Sequence, residues 1–271
     1  MADQQLRQAF TRTGSKQPIL DKVYKLFPDD FKTYVEPFIG GGSVMMAYPF
    51  KKDQKIVIND KDELLIDQYR FVKSNPSMEG TDIYDTRDIR TLTKLRDYGE
   101  GRGGWDGYVS YVINQRNTFM STGGKGQKKL YKKTSPSKNI KLVPLWAQKL
   151  KHVTILNKNY IDVIKHYDSP TTFFYLDPPY EKSGSLYKDP IIDYNEMVDV
   201  LLDLKGKFLL SINNSPYIRK TFKDFDVRSF IVSPSKSPVS MVRLEGLKLG
   251  GRAGQSTVGT KERKEFFIKN Y

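Results

Sequence analysis

Seven short strand-like runs recur along this chain, several of them apolar almost without a break, and few folds can hold such runs. They are TYVEPFI (33–39), KIVIN (55–59), HVTILN (152–157), TFFYLD (172–177), KFLLSIN (207–213), VRSFIV (227–232) and KEFFIK (264–269). A strand with one wet face alternates polar and apolar residues, whereas a continuous run needs cover on both faces. Amphipathic helical patterns lie between several of these runs. In KQPILDKVYKLF (16–27), Ile19, Leu20, Val23, Tyr24 and Phe27 share one face, and KDELLIDQYRFV (61–72) and DYNEMVDVLLDL (193–204) repeat the pattern. Strands alternating with helices predict an α/β fold, a parallel sheet with helices on both sides. No long helical pattern separates the last two runs, which are expected to form an antiparallel hairpin at the C-terminal edge.

The spacing between the second and third runs is far longer than an ordinary crossover. It predicts an inserted subdomain over 61–149, mostly helical, with a basic hairpin or loop around MSTGGKGQKK. Residues 10–60 and 150–271 then make the main domain. The insert carries an unusual charge distribution. From Gly107 to Ile161, 55 residues contain no Asp or Glu, yet they hold Arg116 and ten lysines, out of a net charge of +14 for the whole chain. A short basic run is ordinarily a solvated face. A long one without acids repels itself and points to a polyanionic partner. The aromatic residues interleaved with it, among them Tyr108, Tyr111, Phe119, Tyr131 and Trp146, serve either a local core or base stacking.

Other classes are excluded by composition. There is no cysteine, hence no disulfide framework and no thiolate metal site, and the two histidines, His152 and His166, make a histidine-rich metal centre unexpected. No run is long enough to span a bilayer and no signal peptide is evident. A cytoplasmic, metal-free protein is expected, with MADQQLRQAF as a solvated leader and the glycine-rich 244–264 as a mobile loop.

Two strand ends carry chemistry. The first run passes into Gly40-Gly41-Gly42 and then a helical pattern. Glycine there permits positive φ and close backbone approach, and the helix start beyond favours a negative group. Asp60 ends the next run about 20 residues on, near the interval at which an acid meets a ribose in nucleoside-binding folds. It is read as a ribose acceptor, as a helix N-cap, or as both. The fourth run ends in Asp177-Pro178-Pro179-Tyr180. Prolines have no N–H for a sheet ladder, so the strand must stop there. A strand stop alone requires neither the acid before the prolines nor the tyrosine after them.

Taken together, EPFIGGGS, IND, LNKNYIDVI and YLDPPY, with the leading RTGSKQPIL, resemble the Dam-like group of DNA adenine-N6 methyltransferases. The resemblance covers roughly Arg12 to Asn214. It implies a Rossmann-like sheet that binds S-adenosyl-L-methionine, with an inserted DNA-recognition subdomain. It implies methyl transfer to the exocyclic N6 of an adenine flipped out of double-stranded DNA. Cytosine N4 or RNA adenine is the alternative target, and a catalytically silent DNA-binding relative is the alternative role. Lys16, Glu36, Phe38, Gly40 and Gly42 are implied to line the methyl donor, Asp60 its ribose, and Tyr160, Ile161 and Asp162 its adenine. Plain packing of a loop onto a helix is the other reading of the last three. Asp177, Pro178, Pro179 and Tyr180 are implied to be catalytic, Asp177 also facing the donor. The amine lone pair of adenine is conjugated into its ring. A carboxylate and a fixed carbonyl accepting its two N–H groups would free it. In the insert, Arg116 is read against a guanine edge and Asn114 or Asn117 against an adenine, with phosphate contact or a buried polar network as the other readings. Lys125, Lys128, Lys129, Lys132 and Lys133 are read as phosphate contacts. A restriction endonuclease is compatible as a partner.

If those lysines meet phosphates, replacing Lys128, Lys129, Lys132 and Lys133 together with glutamine should flatten the salt dependence of DNA binding. The log–log slope should fall by about 0.9 for every phosphate that is no longer neutralised. An unchanged slope would place the DNA surface elsewhere.

Overall fold

The computed structural model describes residues 6–12, 14–77, 86–117, 130, 134–180, 192–232 and 263–271. Seven strands form one sheet: β1 (Thr33–Glu36), β2 (Lys55–Asn59), β3 (Val153–Leu156), β4 (Thr172–Leu176), β5 (Lys207–Asn213), β6 (Asp226–Val232) and β7 (Arg263–Lys269). Their order across the sheet is β3-β2-β1-β4-β5-β7-β6. The first five run parallel to one another, with Val35 opposite both Val57 and Phe174. β7 runs antiparallel between β5 and β6, so the expected C-terminal antiparallel pair is present, with β6 at the edge.

Side chains alternate across this sheet and split the core in two. Tyr34, Ile58, Phe173, Tyr175, Leu209 and Phe267 belong to one cluster; Val35, Val57, Phe174, Leu176, Phe208 and Ile268 belong to the other. β4, at the centre, is buried along its whole length. Burying a residue such as Phe173 or Phe174 is worth roughly 1.5–3 kcal/mol each, which explains why this run shows no polar alternation.

The first cluster is covered by α1 (Leu20–Tyr24), α2 (Ser43–Ala47), α3 (Glu63–Ser74), α5 (Gly104–Asn117) and α7 (Val143–Leu150). The second is covered by α8 (Tyr160–Tyr167), α9 (Tyr194–Leu202) and α10 (Pro216–Thr221). Between α3 and α7, α4 (Ile89–Gly99) packs on α5, where the Ser110 hydroxyl donates to the Arg96 carbonyl at 2.7 Å, and α6 (Ser137–Ile140) is short. The helices of 61–149 therefore share one core with the sheet: Leu65, Tyr69, Tyr108 and Trp146 lie in the same cluster as Met45 and Phe173. The expected basic hairpin or loop near 120–129 lies outside the described residues, as does the glycine-rich stretch up to residue 262. No helix of the described residues is long and apolar enough to cross a membrane.

The solvated leader is corrected by the structure. Ala9 and Phe10 are buried, and residues 6–12 lie across the helices as a strap. Phe10 meets Tyr69 and Tyr111 edge-on, with ring centroids at 4.9 and 5.5 Å. The Trp146 indole donates to the Arg7 carbonyl and the Asn139 amide to the Ala9 carbonyl. One Phe at the end of a ten-residue stretch that is half polar is a faint signal of such packing.

At the carboxyl ends of the parallel strands, Asn59 ties three of them together. Its amide donates to the carbonyls of Pro37 and Lys158 at 3.0 Å each, and its oxygen accepts the Lys158 amide at 2.8 Å. Asn59→Ala would leave these buried groups unpaired, at a cost of about 2–3 kcal/mol. A lowered urea midpoint with an unchanged m-value should report it; an unchanged midpoint would mean that the strand ends are held elsewhere.

Candidate active site

The strand order reverses between β1 and β4, and in open α/β sheets the crevice beyond such a reversal is where ligands bind. The glycine turn follows β1, Asp60 follows β2, Tyr160 opens the helix after β3, and Asp177 follows β4. Four sequence-expected groups thus converge on one end of the sheet.

The turn is shaped by close contacts. A Cβ on Gly41 would sit 2.3 Å from the Phe10 carbonyl oxygen. Gly42 has φ +74°, and a Cβ there would lie 2.6 Å from the Tyr69 hydroxyl. Both positions exclude a side chain, the second also on backbone grounds. The Gly40 amide donates to Asp60 Oδ2 at 2.9 Å, and the Asp62 amide donates to Asp60 Oδ1 at 3.0 Å. Asp60 is thus a clamp between two loops and does not cap α3. The cap is Asp62, which accepts from the Leu65 amide and pairs with Arg12. Burial holds Asp60 above its ordinary carboxylate value, although its two amide bonds and the Arg12 charge pull it down.

Lys16 is only 2% exposed, and its ammonium lies 2.8 Å from both oxygens of Asp177. It also reaches the Gly14 carbonyl at 3.1 Å and the Tyr180 hydroxyl at 3.2 Å. A buried ammonium is costly without a counter-charge, and Asp177, itself 22% exposed, supplies it. The family resemblance sets Lys16 beside the donor; here it is the ion-pair partner of the carboxylate that ends β4. Glu36 is buried close by and accepts the Tyr34 hydroxyl at 2.7 Å. Burial first, then the Asp177 charge, push Glu36 well above the ordinary range. The Tyr34 bond, the Met45 amide and Lys16 oppose this shift without cancelling it.

Phe38 and Tyr160 face each other with centroids 5.0 Å apart. The Tyr160 hydroxyl is buried with no hydrogen-bond partner among the described residues, and burial pushes its phenol up to about 12. Ile161 is buried, whereas Asp162 is exposed and lines a shallow groove with Lys158, Asn159 and His166. Beyond the prolines, the Tyr194 hydroxyl donates to the Pro179 carbonyl at 2.5 Å. Neither Tyr194 nor Asn59 stands out in the sequence as a site residue. The nearest thing to a signal is that Asn59 directly precedes Asp60.

Of the base-reading candidates, Asn117 is fully buried. Its amide donates to the Ile113 and Thr134 carbonyls, and its oxygen accepts the Thr134 amide at 2.6 Å. This is the buried polar network among its readings, and it leaves no edge for a base. Arg116 donates to the Asn139 side chain, and burial lowers its pKa. Asn114 is half-buried on the same helix. Lys125, Lys128, Lys129, Lys132 and Lys133 lie outside the described residues.

Glu36 generates a pH prediction. Its folded-state pKa is raised, so the folded chain holds this proton more tightly than the unfolded chain. Stability is therefore lost as pH rises from the unfolded value of about 4.3 toward the folded one, with a slope of up to about 1.4 kcal/mol per pH unit. Glu36→Gln should flatten that fall, seen as the difference between the two proteins' denaturation midpoints from pH 4 upward. Parallel curves would mean that Glu36 carries no shifted proton.

Comparison with known proteins shows the family. The family model described as D12 class N6 adenine-specific DNA methyltransferase matches residues 13–99 and 109–232. The chain is 27% identical over 255 residues to the type II methyltransferase M1.LlaDCHI of Lactococcus lactis subsp. cremoris, across 80% of this chain and 85% of that protein. It is 24% identical over 267 residues to the type II methyltransferase M.MjaIII of Methanocaldococcus jannaschii, across 80% and 88%. The glycine turn, Asp60 and the run from Asp177 to Tyr180 all fall inside the matched residues, and the chain belongs to the D12 class of N6 adenine-specific DNA methyltransferases.

Proposed function

We propose that this adenine methyltransferase takes its methyl group from S-adenosyl-L-methionine held beyond β1 and β2, and delivers it to an adenine flipped against Asp177–Tyr180. The observation that carries this is the placement of Asp177 at the strand-order reversal, across from the glycine turn. The site's chemistry fits the donor. The turn at Gly41 and Gly42 has no room for side chains and offers bare backbone. Asp60 spends one lone pair of each oxygen on an amide and keeps another for ribose hydroxyls. Phe38 and Tyr160 give an aromatic pair at the adenine end. Gly40 and Gly42, with positive φ, shape the turn, and Glu36 forms its floor. Ile161 packs behind; Asp162, on the exposed face of its helix, has the weakest case.

When bound, the donor supplies a methyl group on a sulfonium, already an electrophile. What the chain must do is bind, orient and polarise the amine. Asp177 accepts one N–H of the exocyclic amine and the Pro178 carbonyl accepts the other, which draws nitrogen away from conjugation. Tyr180 provides a face for the extruded base. Lys16 fixes the carboxylate through both oxygens, so Asp177 meets the amine in one orientation. Glu36, held toward its neutral form by burial, does not compete for that ammonium.

The target is double-stranded DNA, read by the helical segment 61–149 seated on the sheet through α3 and α7. Arg116 at the end of α5 is the best-placed base reader, Asn114 the next, and the five lysines from Lys125 to Lys133 meet phosphates. The relatives are named type II methyltransferases. On that likeness we extend site-specific methylation, and a companion restriction endonuclease, to this chain.

Asp177→Ala tests the centre of the proposal. It should lower N6-methyladenine formation by at least 10²–10³-fold, on the order of the loss of one preorganised polar contact, with donor binding retained. The same variant strands the Lys16 ammonium, so its melting temperature should also fall. Substantial turnover by Asp177→Ala would overturn the assignment.

A further inference from the structure

The proline pair poses a mechanical problem. Neither Pro178 nor Pro179 has an N–H, so only their carbonyls can anchor the main chain through hydrogen bonds. In the proposed reaction the Pro178 carbonyl is reserved for the substrate amine. That leaves the Pro179 carbonyl as the one main-chain handle of the pair, and Tyr194 holds it. The phenolic hydroxyl lies 2.5 Å from that oxygen, across 15 residues of sequence.

Tyr194 is built for a fixed position. It is buried at the first turn of α9, whose cap Asp193 accepts the amides of Asn195 and Glu196. Its ring lies edge-on to Tyr217 and Phe222 of the α10 region, with centroids at 6.3 Å. Met197 and Leu201, further along α9, are buried in the same cluster beneath β4 and β5. The hydroxyl is therefore carried by a packed helix, not by a loop. Fixing the Pro179 carbonyl fixes its ψ angle. With φ of both prolines already locked by their rings, this fixes where the Tyr180 backbone begins and tethers the Pro178–Pro179 peptide, and with it the Pro178 carbonyl, to α9.

We infer that Tyr194 is a positioning residue for methyl transfer: its hydroxyl clamps the Pro179 carbonyl and thereby aims the Pro178 acceptor and the Tyr180 platform at the target adenine. This rests on the functional reading of Asp177–Tyr180 given above. Tyr194 does not touch the reacting atoms. Its contribution appears in the rate of the chemical step, because a misplacement of about 1 Å in such a site can cost as much as 10²-fold.

The test is Tyr194→Phe, which keeps the ring and removes the hydroxyl that makes the clamp. Enzyme is held in excess over sites in plasmid DNA from a host lacking adenine methylation, and N6-methyladenine is counted after digestion to nucleosides. The single-turnover rate constant should fall roughly tenfold, with donor and DNA dissociation constants within twofold of the parent. Tyr217→Phe, which removes a neighbouring hydroxyl, should leave the rate constant unchanged. A merely structural Tyr194 would lower the amplitude or the melting temperature and leave the rate constant alone, and that result would overturn the inference. Asp177→Ala is run alongside. If it is inactive while Tyr194→Phe runs at the parent rate, the inference about Tyr194 fails alone. If Asp177→Ala turns over, the reading of the site fails with it.

Discussion

The ion pair between Lys16 and Asp177 is the contact on which this site depends. It joins a segment before the first strand to the end of the central strand. Three groups of formal charge crowd there: one ammonium and the carboxyls of Glu36 and Asp177. The ammonium sits 2.8 Å from both Asp177 oxygens, while Glu36 turns to the Tyr34 hydroxyl. Geometry thus assigns the one positive charge to Asp177, and burial pushes the leftover acid toward neutrality. Two carboxyls of the same formal type acquire different tasks from their surroundings alone. Asp177 is held by the ammonium through both oxygens, and Glu36 is buried against the Tyr34 hydroxyl.

Around that pair, the strand ends are tied together by side chains. Asn59 links the loops after β1, β2 and β3, and Asp60 links the glycine turn to the start of α3. The strap formed by residues 6–12 presses on the same turn, with the Phe10 amide donating to the Gly41 carbonyl at 3.3 Å. Arg12 then reaches both Asp62 and the Tyr111 hydroxyl of α5. The glycine turn and the helices of 61–149 are therefore mechanically continuous through partly buried groups.

Much of this is legible in the sequence. Continuous apolar runs mark the central strands β4 and β5, because a strand covered on both faces cannot alternate. The glycine turn and the proline stop mark the two strand ends that matter, since each needs residue types with few other uses. What stays hidden is partnership. Nothing local says that Lys16 meets a residue 161 positions away, or that the helix cap after β2 is Asp62 when Asp60 stands two residues earlier. Tyr194 reads in sequence as one more apolar position of an amphipathic helix, and its hydroxyl acquires meaning only against Pro179. Asn117, a candidate for base contact on sequence grounds, is used up in holding Thr134, which a polar residue in a basic segment does not reveal.

The placement of β7 between β5 and β6 has a consequence for synthesis. β6 has no other neighbour in the sheet, so it cannot dock until residues 263–269 have been made. Until then β5 presents an open edge of apolar, hydrogen-bonding backbone, the kind of surface that recruits other chains. The nascent protein is therefore most exposed to mispairing late in translation, after the central strand β4 is already in place.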